Sequence, residues 1–348
     1  MTALRKRHPG QGLSLEDTAR PEPGPGEVLI GVKFAGVCGT DLHIDEWTPS
    51  YHFMHAHLPV TIGHEFSGEV AAFGEGVSGL PLGQLVTVRP SVVCGQCEAC
   101  TAGRYDACVA RRGIGVARDG AFARWVRVPA RNCVPVPAGV DPVVAALAEP
   151  LTVSLESVRT GGVKPGDRVL VLGPGNIGQG IALFARAAGA AQVVVAGHDD
   201  APRLAVLRQL GFADLLDFAE TPMDQALAPY LAQGRFDVVI EATGAPAVIA
   251  PALAALKVHG VLVVTGIHPR PVPIDLTQLV RQHQQIRGSY RAPESAWPEV
   301  VAFMGTHQAE LRAMITHRVP LSRAVEGFAL ARGKQATKVM VEPDAAAA

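Results

Sequence analysis

Residues 168–180 read RVLVLGPGNIGQG, and this stretch decides the fold of the second half of the chain. The apolar run at 168–172 predicts a buried strand, and a helical pattern follows the turn. Gly173, Gly175 and Gly178 complete the spacing G-x-G-x-x-G. In such a turn the first glycine allows the bend, the second lets the backbone approach a pyrophosphate, and the third lets helix and strand pack closely. The stretch therefore predicts a dinucleotide-binding turn, and the alternative is a packing cluster of glycines without a ligand.

Three further apolar runs alternate with segments of helical pattern: QVVVAG (192–197), FDVVIEATG (236–244) and GVLVVTG (260–266). Continuous apolar strands that alternate with helices are typical of a doubly wound parallel sheet covered on both faces. Ligands of such sheets bind at the carboxyl ends of the strands. Besides the three glycines, the residues expected at the cofactor are therefore Asn176, Ile177, Thr243, Gly266 and Ile267.

The chain before about residue 142 has a different pattern of apolar residues. Short apolar runs such as LVTV (85–88) and WVRVP (125–129) are separated by Gly and Pro, which predicts a β-rich part. Residues 142–159 are rich in Ala, Leu and Val and predict one helix that leads into the parallel sheet. The sequence thus predicts a β-rich domain followed by an α/β domain.

The charge balance excludes several classes of function. Lys and Arg number 31 against 32 Asp and Glu, which opposes a general nucleic-acid binder or a membrane-surface protein. The sequence lacks a run of about 18 apolar residues, so we expect no transmembrane helix. The basic start at residues 5–8 is followed by PGQG, so we expect no signal peptide. We therefore expect a cytoplasmic protein.

Four of the six cysteines lie in one short segment, CGQCEAC (94–100) and Cys108, with the spacing C-x2-C-x2-C-x7-C. Cytosolic thiols stay reduced, which disfavours a disulfide cluster, and four soft ligands suit tetrahedral zinc. Four thiolates leave no open position for water or substrate. The spacing therefore predicts a structural zinc, and its ligands are Cys94, Cys97, Cys100 and Cys108.

A second set of metal-competent residues is dispersed along the chain. Cys38 occurs in VCGTDLH and His64 in GHE, and either Glu65 or Glu149 would supply a third ligand. A catalytic zinc needs three protein ligands and an open position. Each residue alone is ambiguous, because a lone cysteine is more often buried filler and a lone histidine more often lies at the surface or in the core.

Taken together, these elements resemble the zinc-dependent medium-chain dehydrogenase/reductase family of the alcohol dehydrogenase superfamily. The resemblance covers nearly the whole chain, and its elements occur in the family's order and at about its spacing. They are PEPGPGEVLI (21–30), GVCGTDLH (36–43), GHEFSGEV (63–70), the four clustered cysteines, GPGNIG (173–178) and KVMVEP (338–343).

The resemblance implies an α/β plus β fold, in which a Rossmann domain with a doubly wound parallel sheet is inserted into a GroES-like β-barrel catalytic domain. The inserted domain would comprise residues 151–285. The catalytic domain would comprise residues 1–150 and 286–348 and would include a structural-zinc lobe at about 90–112.

The resemblance also implies roles for the dispersed set. Cys38 and His64 would ligate a catalytic zinc. Glu65 would be a direct ligand or lie just behind the ligands, and Glu149 would ligate the metal or hold its water. Bound zinc lowers the pKa of an alcohol, and the nicotinamide cofactor accepts the hydride.

Two further residues would move the substrate proton in this family. Thr40 would be the hydroxyl that receives it, and His43 would extend the relay towards solvent.

Some relatives of this fold lack zinc and act as reductases or as structural proteins, but they also lack the cysteine cluster and the Cys/His/Glu set. A non-catalytic zinc-ribbon module is opposed by the glycine-rich turn and the neutral charge.

Two branches of the family compete for the substrate. CGTDLHIDEW (38–47) resembles L-threonine 3-dehydrogenases, but that branch usually has a histidine where this chain has PSVV (90–93). EPLTVSLESV (149–158) and GSYRAPESAWP (288–298) resemble sorbitol and polyol dehydrogenases, in which an arginine equivalent to Arg291 lies near substrate and cofactor. Glu156 departs from that pattern. We expect a polyol or sugar alcohol, with L-threonine as the alternative.

The segment 46–59, EWTPSYHFMHAHLP, is rich in histidine and aromatic residues. Trp47 is expected to line the substrate pocket. The alternative is a mobile surface loop with solvated side chains.

Members of the polyol and threonine branches are usually tetramers, so the resemblance implies a homotetramer, with a dimer as the alternative.

The choice between NAD and NADP depends on the end of the second strand of the parallel sheet. An acidic residue is expected there to bind the ribose hydroxyls, but the strand ends at Gly197-His198. Asp199 and Asp200 follow, and Arg203 is close enough to meet a 2′-phosphate. Two adjacent carboxylates would repel that phosphate, so we expect NAD, with some use of NADP.

Overall fold

The computed structural model describes residues 1–344 and divides the chain into two compact units. The first unit combines Met1–Glu149 with the chain from Pro293 onward, and the second is Pro150–Ala292. The first unit is therefore discontinuous in sequence. Between residues 1 and 344, no helix is both long and apolar enough to span a membrane.

The strands are numbered in chain order. They are β1 (Thr2–Lys6), β2 (Ser14–Asp17), β3 (Glu27–Gly36), β4 (Val60–Thr61), β5 (Glu65–Phe73), β6 (Leu85–Val88), β7 (Ser91–Val92), β8 (Arg112–Gly113), β9 (Trp125–Pro129), β10 (Cys133–Pro135), β11 (Arg168–Leu172), β12 (Gln192–Gly197), β13 (Leu215–Asp217), β14 (Phe236–Glu241), β15 (Leu256–Val264), β16 (Gln285–Gly288), β17 (Ile315–Pro320) and β18 (Lys338–Glu342).

The helices follow the same convention. They are α1 (Gly39–Glu46), α2 (Glu98–Thr101), α3 (Pro142–Ala145), α4 (Ala148–Gly161), α5 (Asn176–Ala187), α6 (Ala201–Gln209), α7 (Met223–Ala232), α8 (Ile249–Ala255), α9 (Leu276–Arg281), α10 (Ala296–Thr306), α11 (Gln308–Met314) and α12 (Ala324–Arg332). Short 3₁₀ helices occur at Pro49–His57, Tyr105–Ala107, Ala130–Asn132, Pro246–Val248 and Leu321–Arg323.

The first unit is organised around strand β3. The strand order of its main sheet is β10-β6-β5-β3-β18-β17, and β9 also pairs with β3. The pairing of β18 with β3 joins the end of the chain to its beginning. A smaller sheet has the order β2-β1-β4. The buried core of this unit includes Val28, Ile30, Ile44, Phe66, Val86, Phe122, Val126 and Phe328.

Residues 142–159, predicted as one helix, form two. The Asp141 side chain caps α3 by accepting a hydrogen bond from the backbone N–H of Val143 at 2.8 Å. The chain leaves the α-helix after Ala145 and re-enters it at Ala148. Pro150 lies in the first turn of α4, where its missing N–H needs no partner, whereas it would break a continuous helix.

The second unit is a parallel sheet with the order β13-β12-β11-β14-β15-β16. Its central strands are apolar and buried, as continuous apolar runs predict. Strand β16 pairs in parallel with β15, so the unit continues to Ala292 rather than ending at the predicted residue 285. The sequence QIRG of β16 has no apolar run by which an edge strand would be recognised.

Candidate active site

The four clustered cysteines converge in a small lobe of the first unit. The lobe is closed by the two-stranded pairing of β7 with β8 and contains the four-residue helix α2. All four sulfur atoms lie within 4.8 Å of one another, and Cys94 Sγ lies 3.9 Å from Cys100 Sγ and 3.7 Å from Cys108 Sγ. Four sulfurs at about 2.3 Å from a tetrahedral zinc would be separated by about 3.8 Å. The cluster therefore fits zinc.

Backbone groups of the lobe already favour negatively charged sulfurs. The backbone N–H of Cys94 points at Cys108 Sγ at 3.4 Å, and that of Cys97 points at Cys94 Sγ at 3.4 Å. Backbone hydrogen bonds lower the pKa of the Cys97 thiol to about 6, and the largest contribution comes from the backbone of Cys100. Thiolates are the form that binds zinc. Burial raises the pKa of the Cys100 thiol to about 12, so the backbone donors favour the thiolate at Cys97 and Cys108 only.

The dispersed set also converges, in the first unit. Cys38 precedes α1, His64 directly precedes β5, and Glu65 is the first residue of β5. One ligand atom from each of these three residues lies within 4.8 Å of the others. His64 and Glu65 are buried, and Cys38 is partly buried. A thiolate, an imidazole and a carboxylate form a donor set that zinc accepts, with room for a further ligand.

Asp41, which the sequence analysis missed, orients this group. It is fully buried in the first turn of α1, and its Oδ2 accepts a hydrogen bond from the backbone N–H of Cys38 at 2.9 Å. Its Oδ1 lies 3.6 Å from His64 Nδ1. A carboxylate that faces Nδ1 favours a proton there and leaves Nε2 as the nitrogen with a free lone pair. Only the spacing of Asp41 from Cys38, three residues along a helix, could have indicated this role.

The electrostatics of His64 fit a position beside anions. Burial by itself would lower the pKa of His64, but the negative charges of Asp41 and Cys38 outweigh it and leave this pKa well above its ordinary value. His64 Nδ1 and Asp41 Oδ1 are both buried and lack a hydrogen-bond partner among the described residues. These two atoms face each other at 3.6 Å, which fits a proton on Nδ1 between them.

Lys338 is a second residue that the sequence analysis missed. It is buried on β18, and its Nζ donates to Glu65 Oε2 at 2.6 Å and to the carbonyl oxygen of Val37 at 2.9 Å. Burial would lower the pKa of Lys338, but Glu65 and Cys38 outweigh burial and raise it. Lys338 therefore stays charged and holds one oxygen of Glu65.

Glu149 lies near this group but outside the three residues whose ligand atoms are mutually within 4.8 Å. It lies in the first turn of α4. Burial, with Glu65 as a further cause, raises the pKa of Glu149 to about 7, while His64 and Lys338 act in the opposite direction. Its carboxyl group thus belongs to the same electrostatic cluster.

Thr40 and His43 lie one turn apart on α1, directly after Cys38. Thr40 Oγ1 accepts a hydrogen bond from Tyr51 Oη at 3.0 Å, and the ring of His43 stacks on the ring of Tyr51 at 5.9 Å between centroids. Residues 49–57, for which a mobile loop was the alternative, form a 3₁₀ helix whose Met54 is fully buried. The structure therefore brings the two relay candidates together with a tyrosine.

Trp47 terminates α1 in a left-handed conformation, with φ of 58°. Its ring stacks against that of His52 at 5.5 Å and lies 5.2 Å from the Nζ of Lys6. Lys6 is fully buried and donates to the carbonyl oxygens of Gly12 and Asp45, each at 3.1 Å. These contacts hold Trp47 in place, and whether it contacts substrate stays a prediction.

In the second unit, the glycine-rich turn has the geometry its spacing predicts. Gly173 has φ of 108°, a conformation that side chains rarely adopt. A Cβ on Gly178 would lie 1.7 Å from the carbonyl oxygen of Gly173, so only glycine fits there. A Cβ on Gly175 would meet nothing within 4 Å. Gly175 therefore leaves open space before the N-terminus of α5, where Asn176 and Ile177 begin the helix and free N–H groups favour phosphate.

The turn after β12 carries the acidic pair. Asp200 is buried, and its carboxylate accepts the backbone N–H of His198 at 3.1 Å and lies 3.2 Å from the Arg203 guanidinium. Asp200 packs beside the glycine-rich turn. A Cβ added to Gly197 would lie 2.8 Å from the Cβ of Asp200 and 2.8 Å from the Cγ of Pro174, so both residues border the same small space. Asp199 is exposed and has φ of 54°.

The ends of β14 and β15 lie side by side at the same edge of the sheet. Buried Glu241 accepts hydrogen bonds from the backbone N–H and the hydroxyl of Thr243, both at 2.5 Å. A Cβ on Gly266 would lie 2.7 Å from Glu241 Oε2, and Ile267 follows it with an exposed side chain. The predicted cofactor residues Thr243, Gly266 and Ile267 are thus neighbours.

Arg291, predicted near substrate and cofactor, lies at the end of the second unit. Its φ is 67°, its guanidinium lies 4.4 Å from the centre of the Tyr290 ring, and its Nη2 donates to Tyr290 Oη at 2.9 Å. The role predicted for Arg291 remains a prediction.

Comparison with known proteins identifies both parts of the chain. Residues 24–138 match the alcohol dehydrogenase GroES-like domain, and residues 176–306 match the zinc-binding dehydrogenase family. The chain is 34% identical to L-threonine 3-dehydrogenase of Saccharopolyspora erythraea over 98% of this chain and 99% of that protein. It is 30% identical to sorbitol dehydrogenase of Halalkalibacterium halodurans over 99% of each.

Among solved structures, 2R,3R-butanediol dehydrogenase of Bacillus subtilis superposes with a TM-score of 0.87 at 29% identity, over 99% of each chain. These matches confirm the predicted fold class, a GroES-like part combined with a Rossmann part. They also confirm an NAD(P)-dependent alcohol dehydrogenase with zinc and a small-molecule alcohol as substrate. The chain therefore belongs to the zinc-dependent medium-chain dehydrogenase/reductase family of the alcohol dehydrogenase superfamily.

Proposed function

We propose that this enzyme transfers hydride between a secondary alcohol with neighbouring hydroxyl groups, a polyol or sugar alcohol, and NAD. The observation that carries the proposal is the convergence of Cys38, His64 and Glu65 within 4.8 Å. Glu149 lies in the same electrostatic cluster and would hold the metal or a water on it. Its place in the stretch EPLTVSLESV supports the polyol branch by resemblance.

We assign two zinc ions to each chain. Cys94, Cys97, Cys100 and Cys108 would hold the structural ion. Cys38 and His64, with Glu65 or Glu149, would hold the catalytic ion. Both sets lie in the discontinuous unit formed by Met1–Glu149 and the chain from Pro293 onward, which we propose as the catalytic domain. The unit Pro150–Ala292 would be the nucleotide-binding domain.

When bound, zinc polarises the alcohol and the nicotinamide accepts the hydride. The protein itself must position the substrate and accept its proton. Thr40 Oγ1 would receive that proton, since its hydroxyl both accepts and donates. His43, one turn further along α1, would pass it towards solvent. Asp41 and Lys338 would hold His64 and Glu65 in place through the contacts described above.

Removal of the Thr40 hydroxyl tests this relay. We expect Thr40→Ala to lower kcat at neutral pH by roughly 100- to 10,000-fold, the usual contribution of a positioned proton-transfer group. Binding of the nicotinamide cofactor should survive, and His43→Ala should have a smaller effect because solvent replaces a distal member. Steady-state kinetics and cofactor titration measure both quantities. Near-normal rates for Thr40→Ala would refute the relay.

The cofactor would bind along the carboxyl edge of the parallel sheet. Gly173, Gly175 and Gly178 with the start of α5 would hold the pyrophosphate, and Thr243, Gly266 and Ile267 would lie further along the same edge. Asp200 packs beside Pro174 and is paired with Arg203, so the preference for NAD over NADP rests on the presence of two adjacent carboxylates, Asp199 and Asp200, near the turn. His198, Asp199 and Arg203 would lie near the ribose.

One panel of substrates tests the proposed function. Polyols, 2,3-diols, sugars and L-threonine are offered with NAD and with NADP, and reduced nicotinamide is followed by absorbance. We expect the highest kcat/KM for a polyol and a ratio of kcat/KM that favours NAD over NADP with that substrate. A ratio that favours NADP would mean that His198 and Arg203 face the ribose. Oxidation of L-threonine alone would reject the polyol assignment.

L-Threonine is the second candidate substrate. It is favoured by the stretch CGTDLHIDEW and by the 34% identity to a threonine dehydrogenase. We also propose that the protein is cytoplasmic, because a site built on reduced thiols suits that compartment. By resemblance to the polyol and threonine branches, we propose that it forms a homotetramer. Light scattering of the purified protein measures the assembly.

A further inference from the structure

Tyr51 contacts both members of the proposed proton relay. Its hydroxyl donates to Thr40 Oγ1 at 3.0 Å, and its ring is nearly parallel to the imidazole of His43, with 5.9 Å between the centroids and an angle of 13° between the planes. None of the motifs that identify the family includes this residue. We infer that Tyr51 is a positioning residue of the reaction: it orients the Thr40 hydroxyl that receives the substrate proton. This inference rests on the proposed relay.

The backbone around Tyr51 is held against α1. The backbone N–H of Thr48 donates to the carbonyl oxygen of His43 at 3.0 Å, and that of Tyr51 donates to Thr48 at 2.9 Å. Trp47 allows this reversal by adopting a left-handed conformation at the end of the helix. The fully buried Met54 anchors the following residues. The chain therefore folds back and returns the Tyr51 phenol to the first turn of α1.

The hydrogen bond limits the orientations of the Thr40 hydroxyl. A threonine hydroxyl carries one hydrogen and two lone pairs and rotates freely unless a partner holds it. When Tyr51 donates to one lone pair, the other lone pair and the hydrogen remain for the substrate proton and for its onward transfer. A hydroxyl held in this way needs less reorganisation when the proton moves.

The stack on His43 has a complementary effect. A flat imidazole packed against a phenol ring keeps its ring plane while its nitrogens stay available. The Tyr51 ring packs against the core of the first unit, so it forms a fixed wall for that imidazole. The hydroxyl and the ring of Tyr51 thus act on different relay members, and Tyr51→Phe removes only the first effect.

The experiment compares four proteins: the parent, Tyr51→Phe, Thr40→Ala and the double variant. Hydride transfer is measured in single turnover, because product release can limit kcat. Loss of one neutral hydrogen bond is expected to slow Tyr51→Phe about five- to tenfold, without a change in KM for the nicotinamide cofactor. In the Thr40→Ala background, Tyr51→Phe is expected to have no further effect, because Thr40 is the group through which it acts.

A matched control is Tyr230→Phe in the second unit. It also removes a phenol hydroxyl with a side-chain hydrogen bond, which joins Tyr230 to Asp214 at 3.3 Å. The control should retain the parent rate, and zinc content and the midpoint of thermal unfolding should match the parent in all variants. A parent-like rate for Tyr51→Phe would overturn the inference. The inference would also be overturned if Tyr51→Phe lowered the rate of hydride transfer equally in the presence and in the absence of the Thr40 hydroxyl. A parent-like rate for Thr40→Ala would instead refute the relay and, with it, the role of Tyr51.

Discussion

Cys38→Ser is expected to abolish turnover and to leave the purified protein with one zinc per chain instead of two. Cys38 contributes the only sulfur among the three residues that converge at the dispersed site of the described chain. A serine hydroxyl is not ionised near neutral pH and replaces a thiolate poorly as a zinc ligand. We expect kcat to fall by at least about 1,000-fold, since even residues behind the ligands contribute about 10- to 100-fold.

The fold should survive this change. Cys38 precedes the first turn of α1 as its N-cap, and serine is among the most favourable residues at that position. Metal analysis and thermal unfolding measure the two effects separately. The matched control is Cys133→Ser, which alters a cysteine outside both clusters and should retain both zinc ions and the parent rate. Two zinc ions in Cys38→Ser, or only one zinc in fully active parent protein, would contradict the assignment.

Cys100→Ser is expected to remove the other zinc and to unfold the lobe around it. Apart from the two-residue pairing of β7 with β8, the lobe has only short elements: α2 has four residues, and the side chain of Val109 is exposed. A helix of this length is not stable alone, and structural zinc contributes directly to folding. The midpoint of thermal unfolding should fall by roughly 10 °C or more.

Limited proteolysis locates this effect. Trypsin should cleave Cys100→Ser rapidly after Arg104, Arg111 or Arg112, which lie in the lobe, and should cleave the parent there slowly. Cys133→Ser again serves as the control and should resist cleavage as the parent does. Parent-like resistance and two zinc ions in Cys100→Ser would show that the lobe does not depend on a metal.

The features that the sequence predicted well have their determinants close together in the chain. The four thiols occupy one segment of fifteen residues, 94–108, and the glycine-rich turn occupies six, 173–178. The spacing of such short segments limits their geometry. The convergence of the sulfurs and the positive φ of Gly173 follow from local sequence alone.

The dispersed site was predicted by resemblance rather than by spacing. Cys38, His64 and Glu149 belong to separate segments, and their residue types are ambiguous one by one. Lys338 could not be found in this way, because it pairs with Glu65 across 273 positions of sequence. A buried lysine is recognisable only when the strand pairing of β18 with β3 has brought the end of the chain to its beginning.

The sequence alone predicted the clustering of the four cysteines and the geometry of the glycine-rich turn, because each depends on residues that are neighbours along the chain. Tertiary structure decided that β16 belongs to the parallel sheet, since strand pairing rather than apolar pattern places it there. It also decided that Asp41 faces His64 and that Tyr51 reaches Thr40. Such contacts depend on how the chain folds back on itself, and residue type and local spacing do not contain that information.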